Sequence, residues 1–136
     1  MAKTPYIAKS KTDNWGTPKA LYKQLNTVHN FTMDVCPHPR PEWDGLRVPW
    51  GKRNFCNPPY SQLKLWAIKA VAEHRQGKKV VMLIPARTDT IAFHEYILPY
   101  ATKIQFIKGR LKFIDLDGGD KKEQSAPFAS MIVVFG

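Results

Sequence analysis

Lys79-Val80-Val81-Met82-Leu83-Ile84-Pro85-Ala86 is an unbroken apolar run, opened by charge and closed at a proline. A strand covered on both faces uses such a run, because neither side chain set needs to meet water. Working outward, Leu63, Trp66, Ala67, Ala70, Val71 and His74 upstream lie on one face of a helix that ends near Gly77. Residues 53–56 before it read as a short strand leading into Asn57-Pro58-Pro59-Tyr60, with the helical pattern opening at Ser61. Residues 31–35 read as another strand, with Asp34 near its C-terminal end. Pro37, Pro39, Pro41 and Pro49 make residues 37–53 a loop. Thr17-Pro18 reads as an N-cap followed by proline at the first helical position, and Leu21, Leu25 and Val28 predict an amphipathic helix over 18–28.

Downstream, Asp89 is expected to cap a third helix carrying Ile91, Tyr96 and Leu98 and ending near Pro99. Residues 103–108, 111–116 and 128–135 read as three final strands, with a polar surface loop over 117–122. Strands alternating with helices, then a terminal strand pair, predict an α/β fold whose sheet is mostly parallel with an antiparallel C-terminal edge. Ligands of such sheets bind beyond the C-terminal strand ends. Asp34, the Asn57 tetrad and Pro85-Ala86-Arg87 all fall there.

At 136 residues, 43% hydrophobic and 12% aromatic, the chain suits one globular domain over 13–136, preceded by a mobile basic arm over 1–12. No apolar run has the length of a membrane span, the start lacks a signal-peptide core, and two cysteines are too few for a disulfide framework. A soluble intracellular protein is expected. Lys and Arg total 21 against 11 acidic residues, and the resulting +10 favours a polyanionic partner, nucleic acid first.

The tetrad carries the chemistry. An exocyclic amine conjugated with a planar ring, such as that of adenine, is a poor nucleophile. The Asn57 side-chain oxygen and the Pro58 carbonyl can each accept one of its N–H groups and draw the nitrogen towards tetrahedral geometry. Pro58 and Pro59 stiffen the turn and remove donors from it. Tyr60 offers a flat face for a base.

Five blocks, Trp15-Gly16-Thr17-Pro18, Phe31-Thr32-Met33-Asp34, Cys56-Asn57-Pro58-Pro59-Tyr60-Ser61, Leu83-Ile84-Pro85-Ala86-Arg87-Thr88-Asp89-Thr90 and Lys108-Gly109-Arg110-Leu111-Lys112-Phe113, occur in the order seen in phage-type DNA N6-adenine methyltransferases. The chain resembles this Dam-like phage family from about Asp13 to Phe135. The resemblance implies a compact Rossmann-like methyltransferase fold, S-adenosylmethionine as donor and adenine in DNA as acceptor. It implies catalytic roles for Asn57, Pro58, Pro59 and Tyr60. Trp15, Thr17, Pro18, Asp34, Cys36 and Asp44 would bind the donor, and Ser61, Arg87, Asp89, Arg110 and Phe113 the substrate. Phe113 would either stack on the flipped base or fill the core. A phage- or prophage-encoded enzyme in the cytoplasm of a bacterial host is implied as well. The turn Val35-Cys36-Pro37-His38 departs from the pattern in lacking the glycine many methyltransferases carry there. No segment is long enough for a separate target-recognition domain, so sequence selectivity should be low.

Other constellations are weaker. Cys36, His38 and Cys56 match no common zinc spacing, so no metal is expected. Cys36-Pro37 resembles a cytosine-C5 nucleophile but has no evident activating neighbour. Trp66 is expected in the core, and His29, His74 and His94 outside the chemistry. An RNA adenine methyltransferase, a protein-glutamine methyltransferase, a catalytically decayed basic DNA-binding module and a nucleic-acid coat protein stand as alternatives. The charge disfavours the protein substrate and the tetrad disfavours the coat.

Overall fold

The computed structural model describes residues 15–115 and 123–136. The basic arm expected at 1–12 and the loop expected at 117–122 lie outside the described residues. Elements follow in the order β1 (Trp15–Gly16), α1 (Lys19–His29), β2 (Met33–Asp34), β3 (Arg53–Cys56), α2 (Leu63–His74), β4 (Lys79–Pro85), β5 (Lys103–Phe106), β6 (Lys112–Asp115), β7 (Glu123–Ser125) and β8 (Ser130–Phe135). A 3-10 turn, Tyr60–Gln62, leads into α2, and a π-helical segment, Ala92–Ile97, follows β4.

The apolar run over 79–86 forms β4, buried from Val80 to Pro85. Val80, Met82 and Ile84 pack with Trp66, Ala67, Ala70 and Val71 of α2. Val81 and Leu83 face the other way, with Trp15, Phe55 and Phe113, and with Leu21, Tyr22 and Leu25 of α1 packed against them. Both faces are therefore covered, which is why this strand carries no polar alternation.

The main sheet has the order β2-β3-β4-β8-β5. β2, β3 and β4 pair in parallel, whereas β8 runs antiparallel to both β4 and β5. This corrects the expected mostly parallel sheet with an antiparallel edge. The sheet is mixed, the reversed C-terminal strand is internal, and β5 forms the edge. Burial explains the exchange: β8 is buried along its whole length, whereas Lys103, Gln105 and Phe106 of β5 are exposed. The more apolar strand takes the inner position. β6 leaves the main sheet altogether, joining β1 and β7 in a three-stranded antiparallel sheet that the strand pattern did not predict.

Smaller corrections follow from backbone geometry. The expected strand over 31–35 shortens to β2, although the bonds Thr32 N–H to Arg53 O (2.7 Å) and Val35 N–H to Phe55 O (3.0 Å) prolong its ladder. Helix α1 starts after Pro18 without a side-chain cap. Its stripe is covered at Leu21 and Leu25, but Val28 is 74% exposed over a groove beside Gln105 and Ile107. Thr90, not Asp89, caps the third helical segment, its hydroxyl accepting the Phe93 N–H at 3.1 Å. That segment is wide, with Leu98 N–H bonded to Phe93 O at 2.8 Å. It buries Ala92, Phe93 and Ile97 and leaves Ile91 57% and Leu98 51% exposed.

Buried polar groups fix the loop over 37–53. The Asn54 amide donates to the carbonyls of Gly51 (2.8 Å) and Lys79 (3.0 Å) and accepts the Gly51 N–H (2.8 Å). Glu73 of α2 accepts the Trp50 N–H at 2.8 Å and pairs with Lys69 and Lys78. Burial alone would raise the Glu73 pKa, but the bonds from Lys78, Trp50 and Lys69 outweigh it and hold the carboxyl at about 2. Trp50 Nε1 donates to Gly45 O at 2.7 Å. Gly45 is pressed so close to the end of β2 that a Cβ there would lie 2.0 Å from the Val35 carbonyl oxygen.

Candidate active site

β3 runs directly into the tetrad, where Asn57, Pro58 and Pro59 are buried and Tyr60 is half-buried. The Asn57 side-chain nitrogen donates to Trp15 O and to Thr17 Oγ1, both at 2.9 Å. A backbone carbonyl can only accept, so the amide must turn its NH2 towards β1 and its Oδ1 away from it. The Thr17 hydroxyl, expected to cap α1, orients the tetrad instead. Trp15 Nε1 donates to the Tyr60 hydroxyl at 3.4 Å, and the Tyr60 ring stands edge-on to Phe128 at 5.2 Å. Phe113 lies 6.1 Å from both Trp15 and Phe128, completing an aromatic cluster. The cavity among Asn57, Pro58, Tyr60, Pro85, Phe113 and Phe128 measures about 10 Å³. That is room for about one water, so a base enters only if the aromatic side chains move.

A larger cavity of about 360 Å³ opens beyond the end of β2, bordered by Cys36, Arg40, Trp43, Asp44, Gly45 and Trp66. Its size falls within the range of about 300–1,000 Å³ common for small-molecule sites. Asp34 ends β2, and parallel register sets it opposite Phe55, two residues before Asn57. Its Oδ1 accepts the Cys36 N–H at 3.1 Å, but burial outweighs that bond and pushes its pKa up to about 6. Burial, then the Asp34 charge, pushes the Cys36 thiol up to about 11, and burial raises Cys56 as well. Both thiols stay protonated near neutral pH, which argues against a thiolate nucleophile. Asp44 accepts the Leu46 N–H at 2.9 Å and lies 3.6 Å from Arg47. Trp66 is in the core as expected, stacked on Trp50, and its buried Nε1 has no hydrogen-bond partner among the described residues.

A third cavity, an open groove of about 390 Å³, joins Tyr60 and Ser61 to Lys64, Arg87 and Ile91. Pro18 sits at the start of α1, beside Thr17. Asp89 is exposed in the turn after β4, and Arg110 donates to Ala126 O at 3.2 Å; neither borders these three cavities. The fold thus gathers Trp15, Thr17, Asn57, Pro58, Tyr60 and Phe113, and places Cys36 and Asp44 on a separate wall. Phe128, Gly45, Trp50 and Glu73 shape the site without having been singled out from the sequence. Glu73 did leave a signal, an acidic residue beside the apolar stripe of α2. Among the described residues no three His, Cys, Asp or Glu side chains converge as metal ligands would, and no helix is long and apolar enough to cross a membrane.

Residues 4–136 match the family model described as DNA N-6-adenine-methyltransferase (Dam). The chain is also 26% identical over 140 residues to the DNA N-6-adenine-methyltransferase of Haemophilus phage HP1 (strain HP1c1), across 93% of this chain and 80% of that protein.

Proposed function

The chain belongs to the DNA N-6-adenine-methyltransferase (Dam) family, and from that premise we propose that Asn57 and Pro58 hold the target amine while the wall beyond β2 holds the donor. The protein is an adenine-specific DNA methyltransferase, and its methyl donor is S-adenosylmethionine. Bound S-adenosylmethionine supplies an electrophilic methyl group on a sulfonium. The residues lining the 360 Å³ cavity fit such a molecule, with a carboxylate at Asp44, apolar surface at Val35 and Leu46, and the Trp66 indole, whose buried Nε1 has no partner among the described residues; the Asp34 carboxyl ends β2 just before this lining begins. Asp34 and Asp44 would accept hydrogen bonds from its polar ends, and Cys36 would line the wall between them in sequence. Trp15 and Thr17 act from the other side, through their bonds to Asn57 and Tyr60, and Pro18 follows them at the start of α1.

The locked Asn57 amide carries this reading. With its NH2 held by Trp15 O and Thr17 Oγ1, its Oδ1 is the end left to accept an N–H of the amine. Pro58 O takes the second N–H, and Pro59 keeps the turn rigid. The nitrogen lone pair is then released from conjugation and aimed at the donor, so catalysis comes from positioning and polarisation. Tyr60 stacks on the adenine, which must leave the duplex because its amine is otherwise paired. Phe113 shapes the base pocket, and Ser61, Arg87, Asp89 and Arg110 contact the nucleic acid. We read the mixed sheet as a compact Rossmann-like methyltransferase fold forming a single domain over 13–136, supported by Asp34 ending, and the tetrad and Arg87 following, strands that pair in parallel. Selectivity beyond the adenine is low. The phage relative supports a phage-encoded enzyme working in a bacterial cytoplasm.

The test is tritium transfer from labelled donor into DNA, followed by digestion to nucleosides. Asn57→Ala should still fold and bind donor yet transfer methyl about 100-fold more slowly, as when one oriented polar group is removed at a reacting centre. Wild-type rates in that variant would reduce the tetrad to a stiff turn, and label on cytosine would overturn the assigned acceptor.

A further inference from the structure

The aromatic pocket at the tetrad is almost closed, but the groove beside it is open and differently built. Tyr60 is shared by both, so the groove continues from the place assigned to the adenine. Lys64 and Arg87, both exposed, border it. Ile91 also borders it, and 57% of this residue faces solvent. Val28, Leu65, Leu98 and Phe106 are exposed to a similar degree, but among the large exposed apolar side chains of the described residues only Ile91 borders this groove. The charge of the chain, +10, and the two cations on the rim suit one occupant, a nucleic-acid backbone.

We propose that this groove holds the DNA strand next to the extruded adenine, with Lys64 and Arg87 on its phosphates and Ile91 entering the base stack as a wedge. The proposal rests on the methyl-transfer reading above and adds the residue that helps open the duplex. Apolar side chains inserted between base steps separate them, and the gain is needed only where a base must be unpaired. On DNA that offers the adenine already unpaired, the wedge has little to contribute.

Two readouts separate this proposal from the reading beneath it. Methyl transfer by wild type into duplex and into single-stranded DNA of one sequence tests the activity itself. The ratio of the two rates tests Ile91. In Ile91→Ala the duplex to single-strand ratio should fall about tenfold, and Ile91→Leu, which keeps an apolar wedge, should restore it. Fluorescence of 2-aminopurine at the target position gives the second readout, which needs no methyl transfer. Wild type should raise the signal in duplex, and Ile91→Ala should raise it much less. An equal loss on both DNA forms, or unchanged duplex fluorescence in Ile91→Ala, would overturn the wedge while leaving the activity intact. If wild type moved no methyl group to adenine, the underlying reading would fail, and the fluorescence would still decide on Ile91.

Discussion

Thr17→Val tests whether the residue following β1 tunes the proposed catalytic amide of Asn57 or merely neighbours it. The substitution keeps the shape of the side chain and removes one of the two acceptors, Thr17 Oγ1 at 2.9 Å and Trp15 O at 2.9 Å, that hold the Asn57 nitrogen. Asn57 is 8% exposed, so the freed N–H has few substitutes. Losing one partner of a buried donor costs about 1–3 kcal/mol. If that cost falls on the orientation of Oδ1 in the transition state, kcat drops roughly 5- to 150-fold. Donor affinity, measured by calorimetry, should stay within about twofold, and Thr17→Ser should recover most of kcat because the hydroxyl returns. Single-turnover methyl transfer under saturating donor and DNA is the assay. A variant with wild-type kcat but much weaker donor binding would refute the reasoning. It would return Thr17 to the donor pocket, the role implied by the resemblance.

Asp34 predicts a pH dependence of donor binding. Its folded pKa of about 6 stands above its ordinary 3.8, so ionising it costs the fold stability as pH rises from 3.8 to 6, and a donor that needs the carboxylate binds better above 6 than below. Calorimetric affinity should weaken towards about tenfold per pH unit below 6, and Asp34→Asn should be weaker but flat. Glu73 has the opposite sign: its folded pKa of about 2 lies below the ordinary 4.5. The bonds from Lys78, Trp50 and Lys69, net of burial, therefore contribute on the order of 3 kcal/mol above pH 4.5, lost as pH falls through 2. Urea unfolding of Glu73→Gln across that window should show a smaller acid dependence than wild type. Gly45→Ala forces a Cβ to 2.0 Å from the Val35 carbonyl oxygen, and should lower stability by about 1–3 kcal/mol or displace the loop from the donor wall. Thermal unfolding with and without donor distinguishes the two, and an unperturbed Gly45→Ala protein would mean that this contact yields at no cost.

Local pattern carried the elements whose burial is one-sided or complete. The apolar run of β4, the stripe of α2 from Leu63 to Val71 and the short strand before Asn57 each follow from side-chain periodicity and hydrophobic burial, which the chain expresses residue by residue. The tetrad was legible for the same reason, since prolines act on the backbone wherever they stand. Strand order was not. Placing β8 inside the sheet and β5 at its edge depended on which strand buries more against both layers, a comparison among segments distant in sequence. Pairing β1 with β6 likewise joins residues about a hundred positions apart. The same separation hid the part played by Thr17: a threonine before proline reads locally as a helix cap. Only the packing of β1 beside the end of β3 brings its hydroxyl to Asn57, where a buried donor takes the nearest acceptor. The proposed chemistry thus rests on four adjacent residues, whereas the orientation of the Asn57 amide was decided by Trp15 and Thr17, about forty residues earlier in the chain.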